Sequence, residues 1–130
     1  MYIFFPALLN VAISPPTSLV IQGNSQTITC SANGSPVVTG ISWTRENNAG
    51  LVTLDLTNTG KYTGGNTGNP SLTISNFETT DAGTYVCKAT NAVGTASSSN
   101  SVLAYAGRYC ETCCSGHIYI IDFWYHESIN

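Results

Sequence analysis

The sequence predicts a small all-β domain, a sandwich of two antiparallel sheets. Three observations carry this prediction. Charge is scarce: Asp, Glu, Lys and Arg make up 8 % of the 130 residues, against roughly a quarter in an average soluble protein. Ser, Thr and Asn supply 43 residues instead, and neutral polarity of this kind suits strands and turns better than solvated helices. The middle of the chain also reads as short apolar/polar alternations at regular intervals, punctuated by Gly, Asn and Pro. No segment of useful length has a helical period, and no internal repeat is present.

The elements follow in order. Met1 to Ile13 is strongly apolar and merges into what reads as a first strand. It lacks a basic leading region and a small-x-small cleavage site, so residues 1–9 read as a fragment edge or a partial signal. Thr17 to Gln22 is a short extended run after Pro15-Pro16, which bars its start from a central sheet position. Gly23-Asn24 is a turn signal. Gln26 to Ala32 alternates: Ile28, Cys30 and Ala32 face one side, Thr27, Thr29 and Ser31 the other, the mark of a half-buried strand. Asn33-Gly34-Ser35-Pro36 reads as a loop. Ile41 to Arg45 alternates with Ile41 and Trp43 inward, and Glu46 to Gly50 reads as a turn.

Leu51 to Leu56 and Lys61 to Thr63 read as further short strands, separated by the turn Asn58 to Gly60. Gly64 to Asn69 is polar and flexible in composition. Ser71 to Ser75 places Leu72 and Ile74 inside, and Phe77 plugs into the core from the turn that follows. Gly83 to Ala89 places Tyr85, Cys87 and Ala89 inside. Asn91 to Gly94 reads as a hairpin turn. Thr95 to Tyr105 reads as one closing strand, with Leu103 and Tyr105 inward in preference to Val102 and Ala104.

Charge and hydropathy exclude several function classes. The net charge is -3, which gives no basic footprint for nucleic acid. A hydrophobic content of 42 % and a mean hydropathy of +0.07 are too apolar for a disordered chain. No apolar run reaches the length of about 18 residues needed to span a membrane as a helix.

Five cysteines are present. In a small β-rich chain, Cys30 and Cys87 read as a disulfide, which needs an oxidising compartment. Closing so long a loop stabilises a fold by about 4 kcal/mol in the chain-entropy model. Cys110, Cys113 and Cys114 are an odd number of thiols, so at least one pairs outside the chain or not at all. A sandwich needs two facing apolar layers. Cys30 and Cys87 on strands of opposite sheets, with Trp43 on the bridge, supply its centre.

The run Cys30, Trp43 and Asp81-Ala82-Gly83-Thr84-Tyr85-Val86-Cys87 resembles an immunoglobulin domain of the I-set type, over roughly residues 10–105. Pro70-Ser71-Leu72-Thr73-Ile74 and Asn91-Ala92-Val93-Gly94 resemble further segments of that type. The resemblance implies a Greek-key topology and a core of Trp43, Tyr85, Ile28, Leu72 and Ile74. It puts Tyr85 at the tyrosine-corner position and pairs Lys61 with Asp81. Lys in place of the more usual Arg loses bidentate geometry and implies a weaker link. It also implies a non-catalytic domain, without cofactor, that binds proteins or spaces other domains, with immunoglobulin neighbours in its parent protein.

Asn33-Gly34-Ser35 is an N-glycosylation sequon. Pro36 restricts its backbone, and a turn explains the same residues equally well. Cys110, Cys113, Cys114 and His117, with His126 as a further donor, have zinc-like spacing. Adjacent Cys113 and Cys114 do not easily both point inward, and zinc thiolates are uncommon beside an extracellular disulfide, so no metal is expected. Residues 106–130 shift abruptly to a Cys-rich, aromatic composition and read as outside the fold. No nucleophile, His and acid share a recognisable motif, and no paired carboxylates can be argued from spacing.

The expected role is an extracellular protein-binding module for adhesion or recognition, homophilic or heterophilic. Contacts are expected from the outward faces of Ile41–Leu56 and Gly83–Tyr105, or from the loops Asn33–Thr39 and Asn91–Gly94. The alternative is a structural spacer in a long tandem array, of the extracellular-matrix or muscle type.

Overall fold

A computed structural model of the chain describes residues 8–109 and 119–122. Eleven strands and one 3-10 turn are present among these residues: β1 (Leu8–Ser14), β2 (Thr17–Ile21), β3 (Gln26–Ser35), β4 (Gly40–Asn47), β5 (Gly50–Thr53), β6 (Tyr62–Gly64), β7 (Leu72–Ile74), the 3-10 turn (Thr79–Asp81), β8 (Gly83–Thr90), β9 (Thr95–Ser97), β10 (Ser101–Tyr109) and β11 (Tyr119–Asp122). The smaller sheet has the order β1-β3-β7-β6. The larger has the order β11-β10-β8-β4-β5, with β2 on β10 and β9 on β8. The chain crosses between the sheets after β1, β2, β3, β5 and β7. No helix among the described residues is long and apolar enough to cross a membrane.

The alternation in the sequence sets which faces meet. Ile28 and Cys30 from β3, and Leu72 and Ile74 from β7, face Trp43 from β4 and Tyr85 and Cys87 from β8. Phe77 and Leu103 complete this layer, and all but Cys30 are fully enclosed. Cys30 and Cys87 are disulfide-bonded across the two sheets. The Trp43 indole N–H donates to Pro70 O at 2.9 Å, so this large ring is buried without an orphaned donor. Tyr105 is half-buried and packs against the cluster, while Val102 is 40 % exposed.

Gly83 opens β8 at φ +154°, and a Cβ there would lie 2.5 Å from the backbone oxygen of Glu46. Only glycine accepts both the dihedral and the approach of β4.

Five features depart from the sequence reading. Asn33-Gly34-Ser35 is strand rather than loop: β3 runs to Ser35 because β1 pairs along its whole length, from Ser14↔Thr29 to Leu8↔Ser35. Glu46 and Asn47 likewise belong to β4 rather than to a turn. The strand read at Leu51 to Leu56 is Gly50–Thr53, and Leu54 then drops into the core. The closing strand is broken into β9 and β10: register passes from Lys88↔Ser97 to Tyr85↔Ser101, so Val86 and Cys87 face three residues, Ser98 to Asn100. That is a one-residue bulge. Ser98 satisfies it, donating its N–H to Cys87 O at 2.8 Å and accepting from Cys87 N–H on its hydroxyl at 3.0 Å. Finally, β2 joins β10 in parallel, so one pairing in the larger sheet is not antiparallel.

β10 continues to Tyr109, and β11 pairs with Ala106–Tyr109. Residues 1–7 and the zinc-spaced residues Cys110, Cys113, Cys114, His117 and His126 lie outside the described residues.

Candidate functional site

No group of His, Cys, Asp or Glu among the described residues could hold a metal ion. What the fold presents instead is surface, held in place by a buried polar cluster. Asp81 lies at the end of the 3-10 turn and is 2 % exposed. Its carboxylate accepts from Lys61 Nζ and from the Glu78 backbone N–H at 2.8 Å. Arg45 Nη1 stands 3.8 Å from the other oxygen. The Tyr85 hydroxyl donates to the Asp81 backbone oxygen. The cluster thus ties β4, the residue before β6, the 3-10 turn and β8 together. Burial pushes the Tyr85 phenol well above its ordinary value, and the nearby Arg45 charge offsets part of this. Lys61 and Asp81 were legible as a pair. Arg45 shares the Ile41–Trp43 side by the two-residue period, but its place beside Asp81 was not legible, because it comes from pairing opposite Tyr85.

The outer face of the larger sheet is built in cross-strand rows. Leu51, Glu46, Thr84, Val102 and Thr17 form one row, read directly from the register of β5, β4, β8, β10 and β2. Thr53, Thr44 and Val86 form the next, and Ala104 lies opposite Leu19. Leu51 is 66 % exposed and Leu19 50 %. A shallow groove lined by Thr17, Ser18, Leu19, Val102 and Ala104 follows the β2–β10 seam. Among the described side chains of β2, β4, β5, β8 and β10 on this face, only Glu46 and Lys88 are charged. The face is therefore a field of threonine and aliphatic side chains with few ions to desolvate, the character of an interface core.

A second surface lies at one end of the sandwich. The β3–β4 loop and the β8–β9 turn meet there through Asn91, which is 5 % exposed. Its Oδ1 accepts from Val93 and Gly94 N–H at 3.0 and 3.1 Å, and its Nδ2 donates to Pro36 O at 3.1 Å. One side chain therefore shapes the turn and holds the neighbouring loop. Val37 and Val93 stand out from this tip. Asn33 is exposed on β3 below it.

Comparison with known proteins then fixes the family. An immunoglobulin-domain family model matches residues 10–91. The chain belongs to the immunoglobulin family. The titin homolog of Caenorhabditis elegans is 35 % identical over 86 residues, which is 66 % of this chain and, to the nearest per cent, 0 % of that protein. A structure of the tandem Ig repeats of Dlar matches with a TM-score of 0.60 and 29 % identity, over 75 % of this chain and 49 % of that one. The N-terminal Ig1-2 module of the Drosophila receptor protein tyrosine phosphatase DLAR gives 0.59 and 26 %, over 76 % and 45 %. A marsupial T cell receptor, at 16 % identity and a TM-score of 0.63 over 75 % and 52 %, shares the fold. The immunoglobulin domain here spans about half or less of each of these relatives. Two of them carry immunoglobulin repeats in tandem, and a general immunoglobulin module is what the likeness establishes.

Proposed function

We propose that this immunoglobulin domain is a non-catalytic protein-binding module of a secreted or cell-surface protein, of the I-set type, with neighbouring immunoglobulin domains in its parent. The outer face of the larger sheet is its docking surface. The observation that carries this reading is the composition of that face: threonines, Leu19, Leu51, Val86, Val102 and Ala104, with Glu46 and Lys88 its charged groups among described side chains. Sparse charge favours short-range, hydrogen-bonded and apolar contacts over electrostatic steering. The Cys30–Cys87 disulfide supports an oxidising compartment.

The test is to display the full chain as a multimer against a panel of cell-surface and extracellular proteins that includes the chain itself. Binding that is lost in Val102→Arg and kept in Val37→Arg supports the outer face. Binding that survives Val102→Arg unchanged refutes it.

The likeness to the titin homolog favours a second reading, a spacer in a tandem array. Under that reading no surface variant changes binding, and where the array is intracellular Cys30 and Cys87 are thiols in the native protein.

A further inference from the structure

The geometry points to Asn33 as an N-linked glycan acceptor, with Asn33 and Ser35 side by side on the uncharged outer face of the smaller sheet. This rests on the secreted reading above. In sequence, Asn33-Gly34-Ser35 fits a turn as well as a sequon. The structure removes the turn, because Asn33 pairs with Asn10 and Ser35 with Leu8 inside a continuous strand. In a strand, residues two apart share a face. Asn33 and Ser35, the two side chains a sequon requires, are therefore both exposed. Gly34 faces inward between them, where a Cβ would lie 3.0 Å from the Leu9 side chain. Ser35 is extended, the conformation favoured before proline.

The surroundings suit an attached sugar. The four strands of this sheet contain no Asp, Glu, Lys or Arg. Asn10, Thr27, Thr29, Ser31 and Thr63 leave exposed hydroxyl and amide groups, with the exposed Leu8 opposite Ser35, and give a protein partner no ion pair to form. Among the described residues Asn33 Nδ2 makes one long contact, donating to Ser31 Oγ at 3.4 Å. In the transfer, Asn33 Nδ2 bonds to the anomeric carbon of a lipid-pyrophosphate-linked oligosaccharide. The amide loses one proton, the glycosyl–phosphate bond breaks, and the lipid pyrophosphate leaves. The glycan then stands on the smaller sheet and leaves the outer face of the larger sheet open.

The experiment is intact-mass and peptide mapping of the full chain carried into the secretory pathway of insect cells by an appended leader. The expected result is a mass increase equal to whole hexose and N-acetylhexosamine residues. Peptide N-glycosidase in heavy-oxygen water removes it and leaves Asn33 as labelled aspartate. Asn33→Gln and Ser35→Ala each abolish the increase, and Pro36→Ala raises the occupied fraction. A secreted, disulfide-bonded chain whose Asn33 is unmodified, or is aspartate without glycosidase treatment, overturns the proposal. The secreted reading fails separately, by free Cys30 and Cys87 thiols in the native protein.

Discussion

Asp81 is the side chain whose removal has the most calculable consequence. Its carboxylate is 3 % exposed, while the side chains of its cations Lys61 and Arg45 are 20 % and 17 % exposed. Removing one partner of a buried ion pair costs roughly 3–5 kcal/mol, and the partial hydration of both cations places this case near 3 kcal/mol. The Glu78 N–H that Asp81 accepts from is a capping contact, worth about 1 kcal/mol. Asp81→Ala therefore lowers stability by about 4 kcal/mol and leaves two cations facing one another. Lys61→Met leaves the carboxylate with Arg45 and the Glu78 N–H, and costs about 2 kcal/mol. The double variant falls within about 1 kcal/mol of Asp81→Ala alone, because the pair acts as a unit. For a domain of this size, 4 kcal/mol is a fall in Tm of roughly 15–30 °C. Urea denaturation followed by tryptophan fluorescence, with the disulfide intact, reads all three variants. A loss from Asp81→Ala no larger than that from Lys61→Met, or a strictly additive double variant, refutes the argument.

Further predictions concern the backbone, the tip and the core. Gly83→Ala forces a Cβ to within 2.5 Å of the Glu46 carbonyl at φ +154° and costs about 3 kcal/mol, read in the same urea titration. Asn91→Ala removes the three contacts joining the turn to Pro36 and costs about 2 kcal/mol; amide exchange at Val93 and Gly94 rises with it. The Tyr85 phenol is raised from its ordinary 10.0 by burial, so the folded state holds its proton more tightly than the unfolded state. Stability is then fully present below pH 10 and falls as pH rises above it. Ultraviolet titration shows one tyrosine ionising only as the protein unfolds, and Tyr85→Phe abolishes that step. Asp55 behaves oppositely: the Thr57 hydroxyl and backbone N–H hold its carboxyl below the usual range, and Thr57→Val returns it toward that range by carboxyl NMR.

The inward layer was legible because a two-residue period is written into single strands. Ile28 and Cys30, Tyr85 and Cys87, and Leu72 and Ile74 alternate with Thr, Val and Thr whatever they pair with. Features made by pairing were not. Asn-Gly-Ser-Pro has strong turn propensity, and only β1 beside it keeps the chain extended to Ser35. The bulge at Ser98 to Asn100 is invisible in a Ser-rich run, where no apolar side chain marks the change of face. The parallel β2–β10 pairing and the reach of Asn91 to Pro36, 55 residues away in sequence, are likewise relations between distant segments. The outer face of the larger sheet was legible only as two stretches, Ile41–Leu56 and Gly83–Tyr105. Register joined them into rows and added Thr17 and Leu19 from β2.

An oxidising compartment separates a secreted module from a muscle-type intracellular spacer, and one peptide map of the native protein, taken without reduction, reads it. Cys30 and Cys87 recovered as a single cross-linked pair of peptides is the result this account predicts. Recovery of both as free, alkylatable thiols would contradict the secreted reading and bring the spacer forward.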